Sequence, residues 1–178
     1  MIHLITVVGE NARSFYLDQQ YIPDFKSLMR TVTSGRVMIV STKFRSDLFY
    51  NAEKPENDSI LKMWAMYAKT DLSVIDMNQI ITSVGADESL FQYFQSINLL
   101  STNWYKYRLY RSAFHRTFHN DQQNPVTRIV VGCDQYLIDH PSTKRTALVD
   151  VSEKIDSELM KDTFSLAMRI INNENSSN

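Results

Sequence analysis

The sequence predicts an α/β protein, with mixed α+β as the alternative: a short mixed sheet flanked by helices in a single three-layer-like domain. Three observations carry this expectation. Ile2 to Val8 is apolar nearly throughout and rich in β-branched residues, the pattern of a strand covered on both faces. A second short apolar run, Val37 to Val40, follows after a stretch of helical periodicity, which is the β-α-β order of a right-handed crossover with parallel pairing. Helical stretches at about 57–68, 87–100, 103–119 and 152–171, each with apolar residues on one face, alternate with the shorter runs read as strands.

Taken in order, Gly9-Glu10-Asn11 breaks the first strand and Asn11 can cap a helix that runs to about Tyr21. Pro23-Asp24 restarts it, with Phe25, Leu28, Met29 and Val32 on one face, and Ser34-Gly35 ends it. Phe44 to Asn57 shows no clean period. Asn57 or Asp58 caps a helix whose Ile60, Leu61, Trp64, Tyr67 and Ala68 make a broad apolar stripe, and Leu72 to Ile75 reads as a short third strand ending at Asp76. Asp87-Glu88 opens a helix with Leu90, Phe91, Phe94 and Ile97 inward, and a second helix covers about Asn103 to His119. Asn124-Pro125 signals a turn, after which Arg128 to Ile138 and Ala147 to Val151 are expected to form an antiparallel C-terminal β-hairpin around His140 to Lys144. A last helix is expected from about Ser152 to Ile171. The domain thus spans 1–171, with a seam candidate near 121–125 and a disordered polar tail at 172–178.

Composition removes several function classes. The 178 residues carry 19 Lys plus Arg against 20 Asp plus Glu, so wholesale electrostatic attraction to nucleic acid or to an anionic membrane is not expected. The single cysteine, Cys133, cannot close an internal disulfide and sits in the apolar run Ile129 to Cys133. A buried thiol in a reducing compartment is the expectation, and no run reaches the roughly 18 apolar residues that span a bilayer. The chain is therefore read as soluble, intracellular and cytoplasmic, without a membrane partner. Gly9, Gly35, Gly85 and Gly132 are too far apart for a Walker phosphate loop or a GxGxxG dinucleotide fingerprint. No cofactor is expected, and the sequence leaves the oligomeric state open.

One local feature stands out. Ser89 to Asn120 contains no Asp or Glu, yet it holds Lys106, Arg108, Arg111 and Arg116 together with His115 and His119. On helical spacing Trp104, Tyr107, Tyr110, Phe114 and Phe118 make an apolar seam, while Arg108, Arg111, His115 and His119 line an adjoining ridge beside Tyr105. This basic-aromatic helix is expected to dock on an anionic partner, protein first and nucleic acid second, because arginines hold carboxylates and phosphates and exposed aromatics stack. Pairing of the ridge with acids of the same chain, such as Asp156, Glu158 or Asp162, is the competing expectation. His115 and His119 stand at the i, i+4 spacing that lets two imidazoles meet one ion, but Arg116-Thr117-Phe118 between them lacks the glutamate of HExxH. No metal is expected; cations near a helix C-terminus suffice to explain the pair.

The alternative reading is a small α/β enzyme acting on a phosphorylated or nucleotide-like substrate. Open parallel sheets bind ligands beyond the carboxyl ends of their strands, where Glu10, Lys43 and Asp76 would meet, with Arg45 nearby. Those three are the candidate catalytic residues, and an enzyme is the less favoured of the two classes.

Overall fold

The computed structural model describes residues 1–33, 35–140, 143–150, 163 and 165–172. The fold is mixed α+β, and the chain divides into two compact units, Met1–Ser89 and Leu90–Asn178. The division falls at the start of a helix; the segment 121–125 is only the break between two helices of the second unit.

The first unit is a four-stranded sheet of β1 (Ile2–Val8), β2 (Val37–Ser41), β3 (Arg45–Asn51) and β4 (Ile80–Val84), in the order β2-β3-β1-β4. Every pairing is antiparallel, with Ile5 opposite both Leu48 and Thr82. β1 is an interior strand, as its apolar run predicts. The expected parallel pairing of β1 with β2 does not occur. The two do run in the same direction, but β3 inserts between them, so the sheet is not mixed.

β3 escapes sequence reading because its polar residues hide their charge from the pattern. Arg45 and Asp47, two residues apart and therefore on one face, form a bidentate pair at 2.6 and 2.8 Å while almost completely buried. Thr6 donates to the same carboxylate at 2.6 Å. The β2–β3 turn is closed by Thr42, whose hydroxyl donates to the Arg45 carbonyl and accepts from the Arg45 N–H. The expected strand at Leu72 to Ile75 is instead a 3-10 turn, Leu72–Val74, capped by Asp71, and a second such turn, Met77–Gln79, capped by Asp76, leads into β4.

One face of the sheet lies under α1 (Asn11–Ser14), α2 (Ile22–Met29) and α3 (Asn57–Tyr67). Ile5, Val7, Ile39, Leu48 and Tyr50 from the strands and Phe15, Phe25, Met29, Ile60 and Trp64 from the helical side make its core. Trp64 is fully buried, packs edge-on against Phe15, and donates its indole N–H to the Phe15 carbonyl at 3.0 Å, so its polar atom is satisfied. On the other face Leu4, Met38, Val40 and Phe49 are buried as well.

The second unit is helical: α4 (Ala86–Ser101), which starts in the first unit, α5 (Trp104–Asn120), α6 (Pro125–Ile138) and helical residues at 165–172. The expected hairpin is overturned. Arg128 to Ile138 lies inside α6, which starts with Pro125 at its first position and Asn124 as a side-chain cap on the Val126 N–H, and 143–150 is irregular. Val130, Val131, Cys133 and Leu137 suit a buried helix face as well as a strand, and a short apolar run does not distinguish them by period. Gly132 allows close approach of Thr163, whose methyl carbon would stand 3.0 Å from an added Cβ. The expected helix from Ser152 and the tail after Asn172 lie largely outside the described residues.

Candidate functional site

α5 is set by Asn103, whose side-chain oxygen caps the Lys106 N–H at 3.1 Å. Its inner face carries Tyr107, Tyr110, Ala113, Phe114 and Thr117, all buried, and the Tyr110 hydroxyl meets that of Tyr93 at 3.0 Å. Its outer arc, from Trp104 through Tyr105, Arg108, Leu109, His115 and Arg116 to His119, is exposed. Trp104 departs from the expected seam. At the first position of the helix it lies outside the packed turns and is 67 % exposed, with the Arg108 guanidinium carbon 4.9 Å from its ring centre. Tyr105 is 63 % exposed beside it.

The ridge is not uniform. Arg108, His115 and His119 face outward with Tyr105, but Arg111 is half-buried. Its Nε donates to the Ala147 carbonyl and its Nη2 reaches the Asp150 carboxylate at 3.1 Å. Arg111 thus ties α5 to the 143–150 segment and is a structural residue first. The expected acids at 156, 158 and 162 lie outside the described residues. His115 and His119 bring their Nε2 atoms to 3.0 Å, and Gln122 Nε2 stands 3.2 Å from His119 Nδ1.

Beneath this surface lies a buried ionic cluster. Asp134 of α6 places Oδ1 2.6 Å from Arg145 Nη1, both side chains 1 % exposed. Asp134 Oδ2 accepts the Leu148 N–H at 2.7 Å, and Arg145 Nε donates to Asn98 of α4 at 2.8 Å. The Tyr107 hydroxyl donates to the Thr146 carbonyl, and the guanidinium lies over the Phe94 ring. Burial pushes the Asp134 carboxyl above its ordinary range, against the pull of Arg145 and the Leu148 N–H. Arg145 Nη2 has no hydrogen-bond partner among the described residues. The sequence signal was an Asp in the middle of an apolar helix face, Val130 to Leu137, which calls for a buried cation. Next to it, burial pushes the Cys133 thiol up to about 12, so it is neutral and unreactive at physiological pH.

The three crevice candidates share one end of the sheet, since Val8, Ser41 and Ile80 all lie there. Each is engaged separately. Asp76 spends its carboxylate on the Asn78 backbone N–H and side-chain amide at 3.0 Å and on the Gln79 amide. Asn11 clasps the Asp76 backbone in both directions. Lys43 is exposed and lies over the Tyr16 ring, and Glu10 is exposed, its carbonyl taking the Arg13 N–H. Arg45 is locked to Asp47. The rule that suggested a ligand crevice belongs to adjacent parallel strands, and this sheet has none. A shallow open concavity of about 420 Å³ lies elsewhere, along α4, lined by Gln92, Gln95, Ser96, Asn98 and Leu99.

Among the described residues no cluster of three or more His, Cys, Asp or Glu is placed to hold a metal ion, and no helix is long and apolar enough to cross a membrane. Compared with protein-family models, with curated proteins and with solved structures, the chain gives no match.

Proposed function

We propose that this chain is a non-catalytic binding or assembly protein of the cytoplasm that docks on an acidic protein surface through the outer arc of α5. The observation that carries the reading is the exposure of Trp104 and Tyr105 beside Arg108, on a helix with no acidic residue. Trp, Tyr and Arg dominate the binding energy of protein interfaces, and large aromatics left in water gain most when a partner covers them. Exposed Leu109 on the same helix adds apolar area that a phosphate backbone would not use. Nucleic acid is the competing partner, and salt dependence separates the two.

The test compares binding of a labelled Glu-rich peptide carrying apolar residues with binding of a single-stranded oligonucleotide of equal charge. The parent protein is expected to prefer the peptide, and Trp104→Ala and Arg108→Ala are each expected to weaken it by about tenfold or more, the loss of an interface anchor worth about 1.4–2 kcal/mol. Tighter binding of the oligonucleotide, with a salt slope of about 0.7 per phosphate contact, would replace the protein partner with nucleic acid. No binding of either at low salt rejects the docking surface.

A further inference from the structure

We propose that His115 and His119 form a two-imidazole chelating site for a divalent first-row transition ion, of the Zn²⁺, Ni²⁺ or Cu²⁺ class, on the last two turns of α5. This goes beyond the docking reading and does not rest on it. The i, i+4 spacing stacks the two side chains on one face. Their Nε2 atoms are 3.0 Å apart, with ring centres 4.2 Å apart and planes inclined at 63°. An ion bound at roughly 2.0–2.1 Å from two imidazole nitrogens holds them about 2.9 Å apart at a right angle and about 3.3 Å apart at the tetrahedral angle. The observed separation falls inside that interval, so the ion needs no change in either backbone. Both rings are exposed, which leaves the remaining coordination positions to water.

The environment supports the pair. Gln122 Nε2 stands 3.2 Å from His119 Nδ1. An ion that takes both Nε2 lone pairs needs the proton of each neutral ring on its Nδ1, and at His119 the Gln122 amide can turn its oxygen to receive that proton. A hydrogen-bonding partner on the second ring nitrogen is the support that metal-bound histidines use.

Charge does not forbid the site. Arg116, between the two histidines, turns its guanidinium to Ser112 Oγ at 3.3 Å, one turn back along the helix. Arg108 is stacked on Trp104. The carbonyl end of α5 contributes a partial negative charge of about half an electron near His119. Two imidazoles and water select Zn²⁺, Ni²⁺ and Cu²⁺ over Mg²⁺ and Ca²⁺, which take oxygen ligands.

The experiment is calorimetric titration of the full chain with ZnCl₂, repeated with MgCl₂. One equivalent of Zn²⁺ is expected to bind and Mg²⁺ is not. His115→Ala and His119→Ala should each abolish the saturable Zn²⁺ heat while leaving the far-ultraviolet circular dichroism unchanged, and Gln122→Ala should weaken it by about tenfold. Zn²⁺ binding that survives in the His115→Ala/His119→Ala double variant, equal weak heats for Zn²⁺ and Mg²⁺, or no saturable binding would each overturn the proposal.

Discussion

Removing the Asp134 carboxylate should cost far more than removing its partner Arg145, although the two form one ion pair. Asp134→Ala leaves a guanidinium in a site where both side chains are 1 % exposed, and a guanidinium cannot shed its proton. Breaking a buried pair this way costs about 3–5 kcal/mol. The Leu148 N–H also loses the acceptor it holds at 2.7 Å, worth about 1–3 kcal/mol, part of which overlaps the first figure. A loss of about 4–6 kcal/mol is expected, comparable with the whole stability of an ordinary domain. Arg145→Met behaves differently. Burial already pushes the Asp134 carboxyl up, so without Arg145 it takes a proton and keeps its bond to Leu148, and the expected cost is about 1–3 kcal/mol. Urea denaturation followed by far-ultraviolet circular dichroism measures both, and the double variant should be more stable than Asp134→Ala alone. An Arg145→Met variant as unstable as Asp134→Ala, or less stable, would refute the argument that the trapped cation carries the penalty.

Three further predictions concern other parts of the chain. His3 is fully buried, accepts the Gly85 N–H at Nδ1 and meets the Ala52 carbonyl at Nε2, and burial lowers its pKa. The unfolded chain therefore binds a proton below about pH 6.5 that the folded chain refuses. Its share of stability should fall as pH drops below 6.5, by at most about 1.4 kcal/mol per pH unit, until the lowered folded value is passed; a His3→Gln variant with the same urea-midpoint slope between pH 7.5 and 5.5 would contradict this. Gly9 has φ +65° and an added Cβ would meet Gln79 Oε1 at 2.5 Å, so Gly9→Ala should lower thermal stability by about 1–2 kcal/mol, and an unchanged melting temperature would count against the turn geometry. Arg111→Ala should cost about 1.5–3 kcal/mol through its lost bonds to Ala147 and Asp150, whereas Arg108→Ala should stay within about 0.5 kcal/mol; equal effects in chemical denaturation would undo the distinction between tie and ridge.

The parts of this fold that were legible in the sequence are those whose burial is apolar and local. β1, α3, α4 and α5 have runs or stripes long enough for the period to decide, and Trp64, Phe94 and Phe114 fall on the faces the pattern assigns. β3 was illegible because Arg45 and Asp47 neutralise each other across one residue and Thr6 completes the carboxylate, so a buried strand reads as polar. With β3 hidden, β1 and β2 read as neighbours. α6 reads as a strand for the opposite reason: β-branched Val130 and Val131 beside Gly132 imitate one, and only the start at Asn124-Pro125 argues for a helix. Of the outer arc of α5, the exposed positions of Tyr105, Arg108, His115 and His119 follow from helical spacing alone. The turning of Arg111 toward Ala147 and Asp150, and the exposure of Trp104, depend on where α5 begins and on the irregular 143–150 segment, neither of which a periodic pattern encodes.

The docking proposal can be tested most directly by following the two tryptophan indole N–H resonances of the ¹⁵N-labelled protein as the Glu-rich apolar peptide is added. Trp104 is exposed on α5, whereas Trp64 is buried and bonded to the Phe15 carbonyl. The Trp104 resonance is expected to shift to saturation together with the backbone signals of Tyr105, Arg108 and Leu109, while the Trp64 resonance stays in place. A static Trp104 signal, or shifts gathered on the first unit instead, would contradict it.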